Sequence, residues 1–148
     1  MAKSHDLLFF RVGRVRDRIH RGLSLALKEA GQGELGPSHA DIIAVLASRP
    51  EATVQELAQY IDRDKSTLTV LIAKLEKLKL IARHPDPGDG RVTRLTLTER
   101  SRALLPEMRD ISRRLRKRAY HGISMEERTL LNDLLDRIHA NLEDPPTP

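Results

Sequence analysis

The fold is decided by the stretch from Asp62 to Leu97, which reads DRDKSTLTVLIAKLEKLKLIARHPDPGDGRVTRLTL. Its first half repeats apolar side chains at helical spacing, which predicts a helix with one buried face. The apolar positions of this helix are Leu68, Leu71, Ile72 and Leu75. In the second half the runs 81–84 and 92–97 are rich in β-forming residues and flank a turn of Pro, Gly and Asp at 85–90. We therefore predict a helix followed directly by a β-hairpin.

A second short helix precedes this stretch, only three residues away. Its apolar positions are Val54, Leu57, Ala58 and Ile61. Two short helices around the turn 62–64 form a helix-turn-helix, and a hairpin directly behind the second helix adds a wing. The predicted fold class is mainly α with a small β-hairpin (α+β), a winged helix-turn-helix domain flanked by long N- and C-terminal helices.

Four helix starts carry a side-chain oxygen suited to capping the first turn, and three of them also have an acceptor three residues later. These are Ser38 with Asp41, Thr53 with Glu56, Ser124 with Glu127, and Asp64 alone. Pro50 is expected to end the helix before it, because the residue preceding a proline disfavours helical backbone. The short helices are thus delimited by capping residues as well as by their apolar pattern.

Apolar stripes at helical spacing predict the two long terminal helices. The stripes are Leu8, Val12, Val15, Ile19, Leu23 and Ala26 at one end, and Leu130, Leu131, Leu134, Leu135, Ile138 and Leu142 at the other. The four apolar residues 7–10 are consecutive and cannot all face one side of a helix. A partner chain is the simplest surface to cover them. A monomer whose terminal helices pack on each other is the alternative.

The length of 148 residues favours one domain. We expect residues 1–33 and 123–142 to supply the dimerisation helices and residues 37–98 to form the winged helix-turn-helix. Residues 99–122 are expected to form a linking helix, and residues 143–148 to form a frayed tail.

The net charge of +5 favours an anionic partner, and its distribution is more informative than its sum. Residues 1–33, 64–98 and 99–122 carry net charges of +4, +3 and +5, whereas 34–63 and 123–148 carry −3 and −4. Only 3% of the residues are aromatic, so stacking of unpaired bases is poorly provided for. Duplex DNA is therefore the better candidate partner.

The sequence also excludes several classes of protein. It has no cysteine, which removes disulfide frameworks, thiolate metal sites and thiol redox chemistry. No apolar run approaches the roughly 20 residues that span a bilayer, so we expect a soluble cytoplasmic protein without a membrane partner. We find no nucleophile elbow, phosphate-binding glycine loop or paired-carboxylate cleft, which argues against an enzyme.

Taken with the long helices at both ends, the stretch from Leu57 to Leu104 resembles the MarR (multiple antibiotic resistance regulator) family of winged-helix transcription factors. The resemblance covers nearly the whole chain. Its most specific segments are KSTLT (65–69), LEKLKL (75–80), DPGDGR (86–91) and LTLT (95–98). It implies a homodimer that binds a palindromic operator in double-stranded DNA, usually as a repressor released by a small ligand.

The predicted recognition helix has a polar side that leads to candidate DNA contacts. With the apolar positions turned to the core, the remaining faces carry Lys65, Ser66, Thr67, Thr69, Val70 and Lys74. The helix N-terminus can hold a phosphate while hydroxyls reach base edges and Val70 meets a thymine methyl. Ser66 and Thr67 have an alternative role in capping their own helix, and the two roles can coexist. Val70 departs from the family pattern, in which Arg or another polar residue is common.

The wing supplies a second candidate contact. By resemblance, Asp89 orients the wing through Arg91, and Arg91 enters the minor groove, where narrow A·T-rich segments concentrate negative potential. This chain has Asp89-Gly90-Arg91 where relatives often have Asp-Arg-Arg, so one wing arginine is missing. Without the resemblance, a local Asp–Arg pair in a solvated turn is the alternative.

The resemblance also implies a small aromatic or anionic effector that lodges between the dimer helices and the winged domain. The residues expected to line that cleft are Arg14, Arg18, His20 and His39. None of the six histidines stands at metal-site spacing, so we expect no metal and no cofactor. The basic run 113–118 has three alternative roles: a solvated helix face, a contact with the DNA backbone, or a partner for acidic residues of the last helix.

Two functions from different classes therefore remain. The first is a sequence-specific DNA-binding transcription regulator. The second is a winged-helix protein-interaction module without specific DNA binding, whose working surface would be the acidic segment 34–63. Steep salt dependence of duplex binding distinguishes the first from the second.

Overall fold

The computed structural model describes residues 7–143, in which the predicted order of elements is confirmed. The elements are α1 (Leu8–Glu29), α2 (Pro37–Ser48), α3 (Val54–Ile61), α4 (Lys65–Lys77), β1 (Ile81–Pro85), β2 (Thr93–Leu97), α5 (Glu99–Ala119) and α6 (Met125–Leu142). Residues 1–6 of the expected N-terminal segment and 144–148 of the expected tail lie outside the described residues.

These residues divide within α5 into two compact units, one ending at Ser112 and the other beginning at Arg113. All buried apolar side chains of the described residues belong to the first unit. They come from every helix and strand of that unit, and Leu57, Leu68, Ile72, Leu75 and Leu95 are at its centre. That the whole chain acts as one domain stays a prediction.

The short helices of the first unit begin and end where local chemistry dictates. Thr53 caps α3, since its hydroxyl accepts from the amide of Glu56 (3.1 Å) and its amide donates to the Glu56 carboxylate (2.7 Å). Asp62 ends α3 in the left-handed region (φ 52°), a conformation that Asp tolerates better than most residues. The predicted three-residue turn of the helix-turn-helix is therefore confirmed.

The predicted cap of α2 was wrong. The helix begins two residues earlier, at Pro37, with Gly36 as its N-cap, instead of Ser38 paired with Asp41. The Gly36 amide donates to Nδ1 of His39 (3.0 Å), so an imidazole nitrogen fills the acceptor role assigned to a carboxylate. Proline is well suited to the first helical position, which explains the earlier start.

The hairpin pairs β1 and β2 antiparallel, with Ile81 opposite Leu97 and Pro85 opposite Thr93. A backbone bridge on the far side of β2 joins Ala52, in the α2–α3 connection, to Leu95 by two hydrogen bonds of 3.1 and 2.8 Å. The base of the wing is thus attached through its backbone to the segment that opens α3.

The two terminal helices carry most of the exposed apolar surface. In α1 only Leu27 is buried, and the side chains of Leu7, Phe9 and Phe10 are all exposed. In α6 no residue is buried, and five of its leucines are exposed in the single chain. Ser124 caps α6 with Glu127, as predicted (Glu127 amide to Ser124 Oγ, 3.2 Å).

Candidate nucleic-acid interface

The start of α4 is organised by one carboxylate. Asp64 accepts from the amide of Thr67 (2.8 Å), from the Thr67 hydroxyl (2.7 Å) and from the Ser66 hydroxyl. These hydrogen bonds hold the pKa of Asp64 well below its usual range, so the group stays ionised. The capping alternative for Ser66 and Thr67 is therefore present in the structure. The positive end of the helix dipole already faces a side-chain anion, and each hydroxyl keeps its oxygen lone pairs for another donor.

The solvent face of α4 presents the other predicted contacts together. Lys65, Thr69, Val70 and Lys74 are all exposed, and Val70 is 71% exposed. The Thr69 hydroxyl donates to the Lys65 carbonyl (2.7 Å), which leaves its methyl group and lone pairs outward. An exposed valine between hydroxyl and ammonium groups is suited to a groove that offers both thymine methyls and polar base edges.

The tip of the wing is held by two aspartates in sequence. Asp86 accepts from the amides of Gly88 (2.7 Å) and Asp89 (3.0 Å). Asp89 in turn accepts from the amide (3.1 Å) and from Nε (3.2 Å) of Arg91. The Arg91 side chain is nevertheless 93% exposed, so it projects from an ordered turn while its guanidinium stays accessible.

The base of the wing contains an ion-pair cluster that the sequence reading missed. Arg94 on β2 is hydrogen-bonded to Asp86, and its guanidinium lies 3.6 Å from Glu51 and 4.0 Å from Glu56. His84, the cross-strand neighbour of Arg94, lies 3.3 Å from Glu51. The acidic partners stand 8 to 43 positions away in sequence, so no local pattern indicates them.

A second ion pair that was also missed joins the wing to the recognition helix. Nε of Arg83 on β1 lies 2.6 Å from Oε1 of Glu76 on α4. A second contact joins the same two elements. The Thr98 hydroxyl, just after β2, donates to the Lys79 carbonyl (2.7 Å), just after α4. The hairpin and α4 therefore form one connected surface.

The four candidate effector residues do not form a connected set. Arg14 lies over the Phe10 ring (5.5 Å from the guanidinium carbon to the ring centroid), Arg18 is exposed and His20 is half-buried. His39 is buried, and its Nε2 has no hydrogen-bond partner among residues 7–143. No hydrogen bond or ion pair within that range links any two of the four.

The second unit carries part of the basic run on one stripe of α5. Arg114, Lys117 and Arg118 share one face of α5 at i, i+3 and i+4, and together with His121, just beyond the end of the helix, they line an open cavity. The role of residues 113–118 stays open.

Within residues 7–143 no three His, Asp or Glu side chains are grouped to hold a metal ion. None of the helices in that range is both long and apolar enough to cross a membrane.

Comparison with known proteins agrees with this geometry. Residues 34–92, which hold α2 to α4 and most of the hairpin, match the MarR family. The HTH-type transcriptional regulator YxaD of Bacillus subtilis, itself uncharacterised, is 33% identical over 123 residues, covering 82% of this chain and 85% of YxaD. The chain belongs to the MarR family. The predicted resemblance is thereby confirmed.

Two further known proteins are similar along most of the chain. The HTH-type transcriptional repressor IacR of Pseudomonas putida is 25% identical over 141 residues, covering 95% of this chain and 83% of IacR. A mutant of MarR from E. coli, solved in complex with operator DNA, superposes with a TM-score of 0.81 at 19% identity, over 90% of this chain and 94% of that one. The winged-helix fold class is confirmed by this likeness.

Proposed function

We propose that this MarR-family protein is a cytoplasmic transcription regulator that binds a palindromic operator in duplex DNA as a homodimer and acts as a ligand-released repressor. The observation that carries the proposal is the shared surface of α4 and the wing. The exposed face of α4 and the exposed Arg91 belong to one compact unit and are linked through the Arg83–Glu76 ion pair. A protein with this surface can contact a major groove and the adjacent minor groove together.

The proposed roles follow from side-chain chemistry. Lys65 and Lys74 neutralise phosphates, since an ammonium group is a point charge without base-specific geometry. The hydroxyls of Ser66, Thr67 and Thr69 contact base edges, while Val70 contacts a thymine methyl. Asp89 holds Arg91 for insertion into the minor groove.

The acidic segment 34–63 is a poor docking surface for a protein partner. Glu51 and Glu56 face Arg94, and the Glu56 carboxylate also accepts a hydrogen bond from the Thr53 amide. Burial raises the pKa of Asp41, while the neighbouring charges of Arg63 and His20 act in the opposite direction. Asp41, Glu51 and Glu56 are therefore engaged within the chain, which favours the DNA-binding function over the interaction module.

The homodimer is supported by the exposed apolar faces of α1 and α6. An 18-residue helix with no buried residue and five exposed leucines gains little from the single chain. Contiguous apolar surface of this kind is typical of subunit interfaces. A second copy of the chain supplies the same helices with two-fold symmetry, which matches a palindromic operator.

The proposed effector is a small aromatic acid, and His39 is the residue that supports it. Burial, and then the charge of Lys74, lowers the pKa of His39, so the ring is neutral at pH 7. Nδ1 accepts from Gly36, and Nε2 therefore carries the proton. A buried N–H without an acceptor costs about 1–3 kcal/mol, and a ligand carboxylate would satisfy it. Arg14 and Arg18 are proposed to add positive charge, and His20 a hydrogen-bonding ring, around the same ligand.

Selection of bound duplexes from a random pool tests the DNA function. We expect enrichment of an inverted repeat with half-sites about 10 base pairs apart. Affinity for the enriched duplex should fall steeply with salt, since several phosphates are neutralised. A pool that stays random would refute the proposed function, and a salt-independent interaction would favour the protein-interaction module.

The effector is tested in the same assay with monocyclic aromatic carboxylates and their primary amides. We expect at least one acid to release the duplex and its amide, which lacks the anionic acceptor, to be weaker. Equal potency of acid and amide throughout the panel would contradict the role assigned to His39.

A further inference from the structure

The Arg94–Asp86 pair at the base of the wing is partly sheltered from solvent. The side chain of Arg94 is 26% exposed and that of Asp86 is 16% exposed. Ion pairs between fully exposed side chains contribute little, but partial burial and a direct hydrogen bond strengthen the Arg94–Asp86 pair. Arg94 is therefore held in one orientation.

Arg94 connects three segments that are far apart in sequence. Asp86 belongs to the wing turn, Glu51 to the α2–α3 connection and Glu56 to the first turn of α3. The next residue, Leu95, makes the backbone bridge to Ala52 beside Glu51. Side-chain and backbone links thus act at the same point of β2 and join the wing to the helix-turn-helix.

The same Asp86 carboxylate organises the wing tip. It accepts the amides of Gly88 and Asp89, and Asp89 then holds Arg91. A continuous chain of contacts therefore runs from Arg94 through Asp86 and Asp89 to the exposed guanidinium of Arg91.

We propose that Arg94 is a positioning residue for DNA binding, which fixes the wing against the helix-turn-helix and so presents Arg91 to the minor groove. This inference rests on the proposed function. A direct phosphate contact by Arg94 is disfavoured because its guanidinium faces Asp86, Glu51 and Glu56, three carboxylates that make the cluster net negative. Arg94 is expected to act through Arg91.

A double-mutant cycle on the full-length protein tests this coupling, with the duplex that the wild type selects. Arg94→Met removes the charge but keeps an apolar stem. We expect it to weaken binding about fivefold in the wild-type background, and less than twofold in the Arg91→Ala background. Arg102→Met, at an exposed position of α5, removes the same charge outside the cluster and should change affinity less than twofold in either background.

Two further variants separate positioning from folding and from direct contact. Arg94→Lys keeps a positive charge beside Asp86 but lacks the planar guanidinium group that can contact several carboxylates. The affinity of this variant for the duplex should therefore lie between that of Arg94→Met and that of the wild type. Glu51→Gln should give a smaller loss that also disappears in the Arg91→Ala background. The slope of log affinity against log salt should be unchanged by Arg94→Met in the Arg91→Ala background, because Arg94 touches no phosphate.

The outcomes are distinct. Equal losses from Arg94→Met with and without Arg91 would overturn the inference, whether they arise from lost stability or from a direct contact. A salt slope reduced by about one unit in the Arg91→Ala background would identify a direct phosphate contact and also overturn it. A wild type that selects no duplex would refute the proposed function together with this inference, whereas selection with additive losses would refute the inference alone.

Discussion

The exposed leucine face of α6 gives the sharpest test of the oligomeric state. Its five leucines, Leu130, Leu131, Leu134, Leu135 and Leu142, are each between 41% and 64% exposed in the single chain. Full burial of a leucine is worth about 2 kcal/mol, so covering the exposed half contributes about 1 kcal/mol each, or about 5 kcal/mol per protomer. A stable dimer at micromolar concentration is expected from this face together with α1.

Replacing Leu131 and Leu135 by Glu removes about 2 kcal/mol per protomer and about 4 kcal/mol per dimer, before the cost of burying carboxylates. The dissociation constant should therefore rise by about 10³ or more. Sedimentation velocity over a concentration series measures this shift, and circular dichroism reports whether the core stays folded.

A matched control adds the same charges to the opposite side of the helix. Thr129→Glu with Ala140→Glu alters exposed positions about half a turn away from the leucines, so the dimer should persist. The reasoning is refuted if the wild type sediments as a monomer at about 10 μM, or if the leucine variant associates as tightly as the control.

Three further predictions concern DNA affinity, the core and acid stability. Lys65→Ala should reduce the salt slope of duplex binding by about one unit, and an unchanged slope would contradict a phosphate contact. Ile72→Ala, at a fully buried position of α4, should lower the free energy of unfolding by about 2–5 kcal/mol in urea titrations; a loss under 1 kcal/mol would mean that the core repacks. The hydrogen bond from Arg94, then those from the Gly88 and Asp89 amides, lowers the pKa of Asp86 below its ordinary 3.8. Its ionised form therefore stabilises the fold above that pH, and the contribution is lost as the pH falls below it. Asp86→Asn should flatten the pH dependence of thermal stability in this range, and an unaltered profile would contradict this assignment.

The parts of the fold that were predictable depend on residues close in sequence. Capping by Thr53, Asp64 and Ser124 involves groups three residues apart, and the hairpin follows from one turn between two β-rich runs. The prediction of the α2 cap was wrong, although the groups involved are also only three residues apart. The prediction paired the Ser38 hydroxyl with the Asp41 carboxylate, whereas Nδ1 of His39 is an acceptor that can replace a carboxylate.

The parts that were missed depend on tertiary contacts. The outward face of α4 was predictable because burial of Leu68, Ile72 and Leu75 leaves Val70 outside. The Arg94 cluster was not, since it needs the bridge that brings the α2–α3 connection beside β2. The burial of His39 likewise depends on packing around α2 and not on its neighbours in sequence.

The bridge between Ala52 and Leu95 also bears on aggregation. A two-stranded hairpin has two open edges, and each edge can template a strand of another molecule. At Leu95 the β2 edge is already hydrogen-bonded to Ala52, and the free β1 edge carries charged Arg83 and ends at Pro85, which has no amide proton to donate. A wing built in this way can stay extended and exposed at high protein concentration without recruiting neighbouring wings into a larger sheet.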